Sequence, residues 1–473
     1  MINLICLNRR GYFMSTKWFH LFVIVIFALL ILSCGTLNIS VVNNPPTPAA
    51  TAPVATTTSP IIVTIPPTPE PTLSLTPLVP TATYTAAPTR TPGAQTPQSV
   101  KILSTHMLDA SLGWAVGQVN SDLIDHLMFT GDGGTTWHEH SPLDAFQGAP
   151  ASGLAATPFF ASASQAWAVY TSRPGETVPT ELTVWHTTDG GQNWQPGDPL
   201  DLSDLPAEFA IPSDLGFLTD NMHGWIMIHM GSGMNHDYIA VFTTDNSGKT
   251  WQRVVDSTQA GITSRDQSWD LMSCPKTGLA FSDPNTAWLS GDCPGLITNL
   301  FLYRSDDAGK TWTQVNLVPP NGQPADLFSN GTEGCGVPAL AYTSPRTLYI
   351  AVNCSNYTAN TRTAWLYASH DGGQTFAARL LPAPYGNFHF IDLNWGWLLG
   401  TVKDDPTLPA NLYVTSDGGR SWTPVTPTNW QGIPDFIDAN TGWVAATHTD
   451  VAALVFSKNG GKSWSALAPS LVK

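Results

Sequence analysis

The sequence predicts an all-β fold, a seven-bladed β-propeller with four antiparallel strands in each blade, preceded by a disordered stalk. The chain of 473 residues contains 39 Gly, 39 Pro and 18 Trp, and only 12% of its residues are charged. Turn-forming and aromatic residues at this level are typical of all-β proteins. One short phrase recurs seven times along the chain, and an apolar run precedes each copy. Units of this kind, with several strands each, indicate a propeller.

The N-terminal residues predict export. An apolar run from Leu21 to Leu32 follows a basic start and ends in Ile31-Leu32-Ser33-Cys34. A run of this length is typical of a secretory signal and short for a membrane span. Its end resembles a bacterial lipobox, so residues 1–34 are predicted to be a lipoprotein signal peptide with Cys34 lipidated. The alternative is an uncleaved anchor helix, and a start at Met14 would give a more ordinary signal length. Both predict a chain held outside the cytoplasm, at the membrane or envelope surface.

Residues 35–99 are predicted to be a disordered linker. They are dominated by Pro, Thr and Ala, as in NNPPTPAATAP. Proline removes backbone donors and favours extended geometry, and large apolar residues are too few to offset the entropy lost on ordering. The linker would hold the folded body, residues 100–473, away from the lipid surface.

The repeated phrase has the chemistry of a turn. The Asp carboxylate can accept hydrogen bonds from backbone N–H groups that follow it, the glycines supply positive φ, and the final aromatic residue begins the return strand. The copies are TGDGGTTW (130–137), TTDGGQNW (187–194), TTDNSGKTW (243–251), SDDAGKTW (305–312), SHDGGQTF (369–376), TSDGGRSW (415–422) and SKNGGKSW (457–464). The predicted structural residues are Asp132, Asp189, Asp245, Asp307, Asp371, Asp417 and Asn459, with Trp137, Trp194, Trp251, Trp312, Phe376, Trp422 and Trp464.

Two copies depart from the common pattern. The third copy is interpreted as one residue longer, and the seventh has Asn459 in place of Asp. Both keep a side-chain acceptor, which suits a turn better than a metal site. The ending Gly309-Lys310-Thr311 resembles part of a phosphate-binding loop, but the glycine that such a loop needs five residues earlier is Arg304. The phrase is therefore predicted to be scaffolding.

A second phrase precedes each turn and predicts a buried strand. Its copies are GWAVG at Trp114, AWAVY at Trp167, GWIMI at Trp225, AWLSG at Trp288, TLYIAV at Leu348, GWLLG at Trp397 and GWVAA at Trp443. Short apolar runs bounded by Gly or polar residues suit strands that are buried on both faces. With a run before it and another leading into the turn, each unit has four strands. A closed ring is favoured over an open array, because a ring covers the terminal faces.

The turn phrase resembles the Asp-box, or BNR repeat, of sialidases, some xyloglucan hydrolases and sortilin-like receptors. Combined with the GWAVG-type strands, it most resembles the seven-bladed propellers of the photosystem II assembly and stability factor family. The resemblance covers residues 100–473. It implies that the Asp-box lies at the rim, so that function would reside in other loops. A sialidase would also carry a Phe/Tyr-Arg-Ile-Pro motif, whereas Tyr303-Arg304 continues into Ser-Asp.

The cysteines of the body predict two disulfides. Cys274 and Cys293 are 19 residues apart, as are Cys335 and Cys354, and each pair brackets the apolar strand of its own unit. Equivalent positions in successive repeats suggest Cys274–Cys293 and Cys335–Cys354 bridges in an oxidising compartment. A metal site would need closer Cys-x-x-Cys or His spacing, so no metal and no cofactor is expected.

Candidate binding residues lie in the longest loops. The stretch 257–270 contains Arg265 and Trp269, and Trp430 and Trp395 lie outside the two repeated phrases. Long loops on a rigid scaffold commonly bind ligands. An exposed Trp would suit stacking on a sugar or peptide, and the alternative is a Trp that caps a blade. His223, His229 and His236 are expected to be solvated rather than to form a metal cluster.

Charge limits the class of partner. The net charge is −15 and the pI is about 5.0, which argues against binding nucleic acid or gripping an anionic membrane surface. The predicted protein is an envelope-anchored lipoprotein, expected to be monomeric, whose non-catalytic propeller binds a protein or glycan. One alternative is a glycoside hydrolase, sialidase-like or another exo-glycosidase, that uses two carboxylates on the same fold. Another is a structural or assembly factor for an envelope complex.

Overall fold

The computed structural model describes residues 98–120, 123–173, 178–233, 236–256, 271–292, 299–329, 333–403, 408–448 and 451–472. The chain divides into two units, residues 1–87 and 88–473, and every described residue belongs to the second. The predicted signal peptide, Cys34 and nearly all of the predicted linker lie outside the described residues. The first strand begins at Gln98, just ahead of the predicted start of the folded body. Within the described ranges, no helix is long and apolar enough to cross a membrane.

Strands account for nearly all regular structure, so the predicted all-β class is confirmed. The first sheet, S1, contains β1 (Gln98–Met107), β2 (Gly113–Val119), β3 (His126–Thr130) and β4 (Thr136–Glu139), and a short 3₁₀ helix (Leu143–Phe146) follows. Next come β5 (Leu154–Phe160), β6 (Ala166–Ser172), β7 (Glu181–Leu182), β8 (Val184–Thr187), β9 (Gln195–Pro196) and β10 (Leu200–Asp201). Of these, β5, β6, β8 and β9 form S2, whereas β7 pairs with β10.

The remaining sheets follow the chain in order. S3 contains β11 (Ile211–Phe217), β12 (Gly224–Gly233), β13 (His236–Thr244) and β14 (Gln252–Val255). S4 contains β15 (Lys276–Phe281), β16 (Ala287–Gly291), β17 (Phe301–Ser305) and β18 (Thr313–Gln314). S5 contains β19 (Glu333–Ser344), β20 (Thr347–Asn356), β21 (Thr361–Ser369) and β22 (Ala377–Leu380). S6 contains β23 (Tyr385–Phe390), β24 (Gly396–Thr401), β25 (Ala410–Thr415) and β26 (Thr423–Thr428). S7 contains β27 (Pro434–Phe436), β28 (Gly442–His448), β29 (Val451–Ser457) and β30 (Ser465–Leu467).

Six sheets, S2 to S7, have the predicted blade form of four antiparallel strands in chain order, in a propeller-like arrangement. S1 differs from the prediction of seven equivalent blades. The last strand, β31 (Ser470–Val472), pairs antiparallel with the start of β1 and parallel with β4, so S1 is a closed five-stranded sheet. The difference arises because residues from the far end of the chain add a strand to the first sheet.

The second strand of each sheet carries the apolar phrase and lies in the core. Trp114, Trp167, Trp288, Trp397 and Trp443 are all 0% exposed. Both faces of these strands are buried, because each sheet packs between neighbours, as the unbroken apolar runs predicted. This confirms the strand assigned to the second phrase.

Aromatic stacking joins successive sheets. The aromatic residue of the phrase in one sheet stacks on the last residue of the first strand in the next sheet. The pairs are Trp114 with Phe160 (5.0 Å between centroids), Trp167 with Phe217 (3.9 Å), Trp225 with Phe281 (5.1 Å), Tyr349 with Phe390 (3.9 Å) and Trp397 with Phe436 (4.0 Å). Tyr349, and not Leu348, therefore occupies the Trp position in S5. Stacked pairs contribute about 0.5–1.5 kcal/mol each beyond their buried area.

The first and last sheets are also in contact. The Trp443 indole donates to Gly133 O at 2.9 Å, and the Met107 N–H donates to Asp435 Oδ2 at 2.9 Å. Met107 and Trp443 belong to one hydrophobic cluster. The two ends of the sheet series therefore share a packed interface.

The repeated phrase forms the same turn in all seven copies, as predicted. The hydroxyl at its first position donates to the side-chain oxygen at the third and accepts the N–H of the fifth. The third side chain accepts the N–H of the seventh. The backbone N–H of the fourth residue of the turn donates to a carbonyl in the loop that joins the first and second strands of the same sheet. The hydroxyl at the first position and the acceptor side chain at the third are thus satisfied within the turn itself.

Asp371 and Gly373 illustrate why the turn needs these residues. Hydrogen bonds from Thr375 hold the pKa of the Asp371 carboxyl well below its usual range. Gly373 has φ of 81°, and a Cβ there would lie 2.2 Å from the Trp288 ring of the preceding sheet. Glycine is therefore required both by the left-handed backbone and by the close approach of the indole.

The interpretation of the third copy was wrong. Thr244 Oγ1 donates to Asn246 Oδ1 at 3.0 Å, and Asn246 Oδ1 accepts the Thr250 N–H at 3.0 Å. The turn is therefore residues 244–251, the same length as the others, and Asn246 holds the position assigned to Asp245. Asp245 is exposed. Asp245 and Asn246 are adjacent, and either side chain can accept an N–H. The sequence alone therefore does not show which of them holds the turn.

Candidate functional site

In each of the sheets S1 to S7, a polar residue follows the buried aromatic of the second strand by four positions, within that strand or just beyond its end. These residues, which we call the polar collar, are Gln118, Thr171, His229, Asp292, Asn353, Thr401 and Thr447. They lie at the edge of the sheets opposite the repeated turns, because the turns adjoin the other end of the second strand. Sequence reasoning missed them, since one polar residue at the end of an apolar run suggests only a strand boundary.

Several collar residues bind the next sheet. Thr171 Oγ1 donates to Ala210 O at 2.8 Å, just before β11, and Asn353 Nδ2 donates to Pro384 O at 2.9 Å, just before β23. These bonds satisfy backbone carbonyls where the chain enters a new sheet. A buried carbonyl without a hydrogen-bond donor would destabilise the folded state. At these two positions the collar is a structural link between sheets.

The collar of S1 reaches the next sheet through an ion pair. Gln118 donates to Asp125 Oδ1 at 2.8 Å, and Arg173 of S2 donates to the same oxygen at 2.6 Å. The Ala156 N–H contacts the other oxygen of Asp125 at 3.3 Å. Asp125 is largely buried, so its full set of donors keeps the carboxylate satisfied.

Between S5 and S6 the collar opens into a cavity of about 390 Å³, which we call the S5–S6 cleft. Polar and aromatic side chains from several sheets line it. Its principal lining residues are Asp292, Asn353, Arg362, Tyr385, Asn387 and Gln431. A volume of this size suits a small ligand.

Arg362 and Tyr385 form one wall of the cleft. The guanidinium lies 4.6 Å from the centroid of the Tyr385 ring, and Arg362 Nε donates to Ser355 Oγ at 2.9 Å. The cation–π contact and this hydrogen bond fix the guanidinium plane. Among the described residues, its terminal nitrogens have no hydrogen-bond acceptor. They are therefore free to donate into the cleft.

Asp292 supplies the carboxyl group of the cleft. Burial raises the pKa of this carboxyl, and the charge of Arg362 opposes the shift. Its backbone is held by a bond from Asp292 N to Pro275 O at 3.0 Å. In the described lining of this cleft, Asp292 is the one carboxyl group. A raised pKa would let it hold a proton that it can donate to a bound oxygen.

The predicted binding residues are not brought together. Arg265 and Trp269 lie outside the described residues. Trp430 is half-buried and packs edge-to-face on Trp464 at 5.3 Å, which favours the capping alternative over an exposed platform. Trp395 stacks on Trp397 at 6.3 Å. Both tryptophans cap apolar surface, because the sheet edges beside them would otherwise be open.

Two of the three histidines, His223 and His229, are held by carboxylates. His223 contacts Asp220 at 2.6 Å, and His229 contacts Asp237 at 3.0 Å. In the part of the chain that the structure describes, no three His, Cys, Asp or Glu side chains converge to hold a metal ion.

The Cys335–Cys354 disulfide is confirmed. The two cysteines are directly paired residues of β19 and β20, with their Cα atoms 4.1 Å apart. Cys274 is disulfide-bonded, and its predicted partner, Cys293, lies outside the described residues. Cys354 directly follows the collar residue Asn353, and Cys293 directly follows Asp292. The cysteines therefore mark, in the sequence, the positions of two residues that line the S5–S6 cleft.

Comparisons with known proteins find similar folds among solved structures. No family model and no curated protein matches the chain. Similar solved structures include a GH74 enzyme of Niastella koreensis, with 15% identity over 78% of this chain and 71% of that one, and a TM-score of 0.25. An oligogalacturonate lyase from Vibrio parahaemolyticus has 10% identity over 78% of this chain and 92% of that one, and a TM-score of 0.49. A PL25 ulvan lyase has 11% identity over 79% and 95%, and a TM-score of 0.39. The likeness is one of fold alone, and the Asp-box family stays a resemblance.

Proposed function

We propose that the S5–S6 cleft binds a glycan. The observation that carries this is the pairing of the Arg362 guanidinium with the Tyr385 ring at 4.6 Å, beside Asn353 and Asn387 in one cavity. Sugars present hydroxyl groups around an apolar ring, and they are met by planar side chains together with amide and guanidinium donors. Because the cleft is built on strands of two sheets, these groups are positioned before a ligand arrives.

The test uses the detergent-solubilised full-length protein on a glycan array, followed by calorimetric titration of the strongest ligand. Arg362→Ala and Tyr385→Ala should each weaken binding at least tenfold. Arg379→Ala is the matched control, because Arg379 lies on β22 of the same sheet, outside the cleft lining. Absence of binding to every glycan, or equal affinity in the Arg362→Ala variant, would overturn the proposal.

A second candidate function is glycoside hydrolysis in the same cleft. Burial of Asp292 favours it, because a carboxyl with a raised pKa can act as a general acid and protonate the leaving-group oxygen. The second carboxylate that such enzymes use is not among the described lining residues. Asp292→Asn should then abolish release of reducing sugar from the bound glycan while leaving its affinity within about threefold. If no bound glycan is cleaved by the unaltered protein, the hydrolase is rejected and the binding proposal stands.

We also propose that S1 serves as a seventh blade. S1 contacts S2 through the Trp114–Phe160 stack and S7 through the bond from Trp443 to Gly133 O. Trp114 of S1 faces S2, and Trp443 of S7 faces S1. A tryptophan of the second strand therefore lies at each boundary of S1. An electron-microscopy projection along the axis should resolve seven lobes, and a six-lobed ring would contradict this.

We propose that Cys34 anchors the protein to an envelope membrane after export. The Cys335–Cys354 disulfide fits an oxidising compartment outside the cytoplasm. Cys34→Ser should lose incorporation of an alkyne-tagged fatty acid and leave the membrane fraction. Retention of the label in this variant would refute the lipidation site.

A further inference from the structure

Three side chains from adjacent strands of S3 form a continuous hydrogen-bonded line. Ser213 Oγ on β11 lies 3.0 Å from His229 Nε2 on β12, and His229 Nδ1 lies 3.0 Å from both carboxylate oxygens of Asp237 on β13. A hydroxyl, an imidazole and a carboxylate in this order and at these distances have the geometry of an activated serine nucleophile.

The charge and hydrogen bonds around Asp237 set the imidazole tautomer. Asp237 Oδ2 also accepts the Lys276 N–H at 2.7 Å, and its side chain is only 6% exposed. This carboxylate therefore accepts the proton on His229 Nδ1. In the neutral imidazole, Nε2 is then the acceptor that faces Ser213.

Ser213 Oγ has a second neighbour, Asp214 Oδ2, at 2.9 Å, to which the hydroxyl donates. Burial raises the pKa of the Asp214 carboxyl. Rotation of the hydroxyl about its Cβ–Oγ bond turns its proton from Asp214 to His229 Nε2, which lies 3.0 Å away.

The backbone at this point is strained. β11 and β12 shift register between Ser213 and Gly216, and Asp214 has φ of 50°. Of the described strand residues, Asp214 is the one non-glycine with a positive φ. Such conformations are energetically costly and concentrate at functional sites. Ser213 pairs with Met227 and Ile211 pairs with His229, so Ser213 and His229 are diagonal neighbours on the same face of the sheet, directly before the register shift.

We propose that Ser213, His229 and Asp237 form a site that hydrolyses small acyl esters. Ser213 Oγ attacks the acyl carbon while its proton passes to His229 Nε2, and the alcohol leaves with that proton. A water then gives its proton to His229 Nε2 and attacks the acyl carbon. The bond from Ser213 Oγ to that carbon breaks as His229 returns the proton to Oγ, which releases the carboxylic acid and restores the serine. Asp237 is a positioning residue that holds the imidazole. Ser213 and His229 are both partly exposed.

The first test treats the full-length protein with a fluorophosphonate probe and with 4-nitrophenyl acetate. Labelling should map to Ser213, and Ser213→Ala should abolish both labelling and ester release. Asp237→Asn should lower kcat about 10²–10⁴-fold with little change in KM. Ser203→Ala, at an exposed serine near the start of S3, should retain full activity. An unlabelled wild-type protein, or a label that persists in Ser213→Ala, would refute the site.

A second test does not depend on ester turnover. Ser213→Cys should react with iodoacetamide at least tenfold faster than Ser203→Cys, because the adjacent imidazole promotes thiolate formation. Equal rates, with both variants folded by their thermal midpoints, would show that the three side chains only staple the strands of S3. Glycan binding in the S5–S6 cleft should be unchanged in all of these variants, so the two proposals fail separately.

Discussion

The indole Nε1 of Trp443 in S7 donates a 2.9 Å hydrogen bond to the carbonyl oxygen of Gly133, in the repeated turn of S1. Trp167 makes the same bond to Ser247 O, also at the fourth position of a turn. The junction between the two ends of the folded body is therefore built from the same contact as a junction inside it. Its strength can be measured separately from the packing of the indole ring.

Trp443→Phe should destabilise the protein by about 1–2 kcal/mol more than Trp397→Phe, because only the former leaves a carbonyl without its donor. The two tryptophans are a matched pair. Both are 0% exposed, and Trp397 Nε1 has no hydrogen-bond partner among the described residues. Urea unfolding followed by tryptophan fluorescence compares them. Equal losses would show that the Trp443 hydrogen bond adds nothing to the junction.

Asn246→Ala should lower the thermal midpoint by several degrees, and Asp245→Ala should leave it nearly unchanged. Asn246 accepts the N–H of Thr250 and the hydroxyl of Thr244, whereas Asp245 is exposed. Loss of a turn acceptor of this kind costs about 1 kcal/mol. Calorimetry of the two variants checks the position of the turn, and a larger effect at Asp245 would restore the nine-residue interpretation.

Asp435 should make the folded protein less stable as the pH rises. Burial raises the pKa of its carboxyl to about 6, above the usual value near 4. The folded state therefore binds the proton more tightly, so the stability that this group contributes is fully present below about pH 4 and is lost as the pH rises through 6. Asp435→Asn keeps an acceptor for the Met107 N–H and should gain roughly 2–3 kcal/mol at pH 8 with no gain at pH 4.

Asp438→Asn is the control for the Asp435 variant. Burial opposes ionisation of Asp438, but hydrogen bonds from Asn440 and Thr441 lower its pKa overall. Its replacement should therefore lose stability at neutral pH, the opposite sign. Urea midpoints at pH 4, 6 and 8 check both variants, and a pH-independent difference at Asp435 would contradict the assigned titration.

Non-reducing peptide mapping should recover Cys335 linked to Cys354, and Cys274 linked to Cys293. A bridge that closes a loop of 19 residues contributes about 3 kcal/mol by restricting the unfolded chain. Reduction should therefore lower the thermal midpoint of the oxidised protein by several degrees. Recovery of Cys274 linked to any other cysteine would show that the repeat-equivalence argument fails for S4.

Much of the fold was predictable, because its signals are local. The repeated turn depends on a hydroxyl, an acceptor and glycines within eight residues, and the buried second strand depends on an apolar run. Both occur where predicted. The errors at Asp245 and Leu348 were shifts of one residue, since neighbouring residues of similar chemistry compete for one position until the hydrogen bonds and ring contacts are known. The two alternatives for Trp430 stayed open in the sequence because its exposure depends on Trp464, which is 34 positions away in the chain.

The sequence by itself determined the all-β class, the order of the strands, the turn chemistry and the cysteine pair Cys335–Cys354, since each follows from residues close together in the chain or from the period of the repeat. Tertiary structure alone decided that β31 joins S1, that Arg362 meets Tyr385 beside Asp292, and that Ser213 meets His229 and Asp237. These contacts join residues on different strands or sheets. Their approach is set by strand register, bulges and the packing of sheet on sheet, which no local pattern encodes.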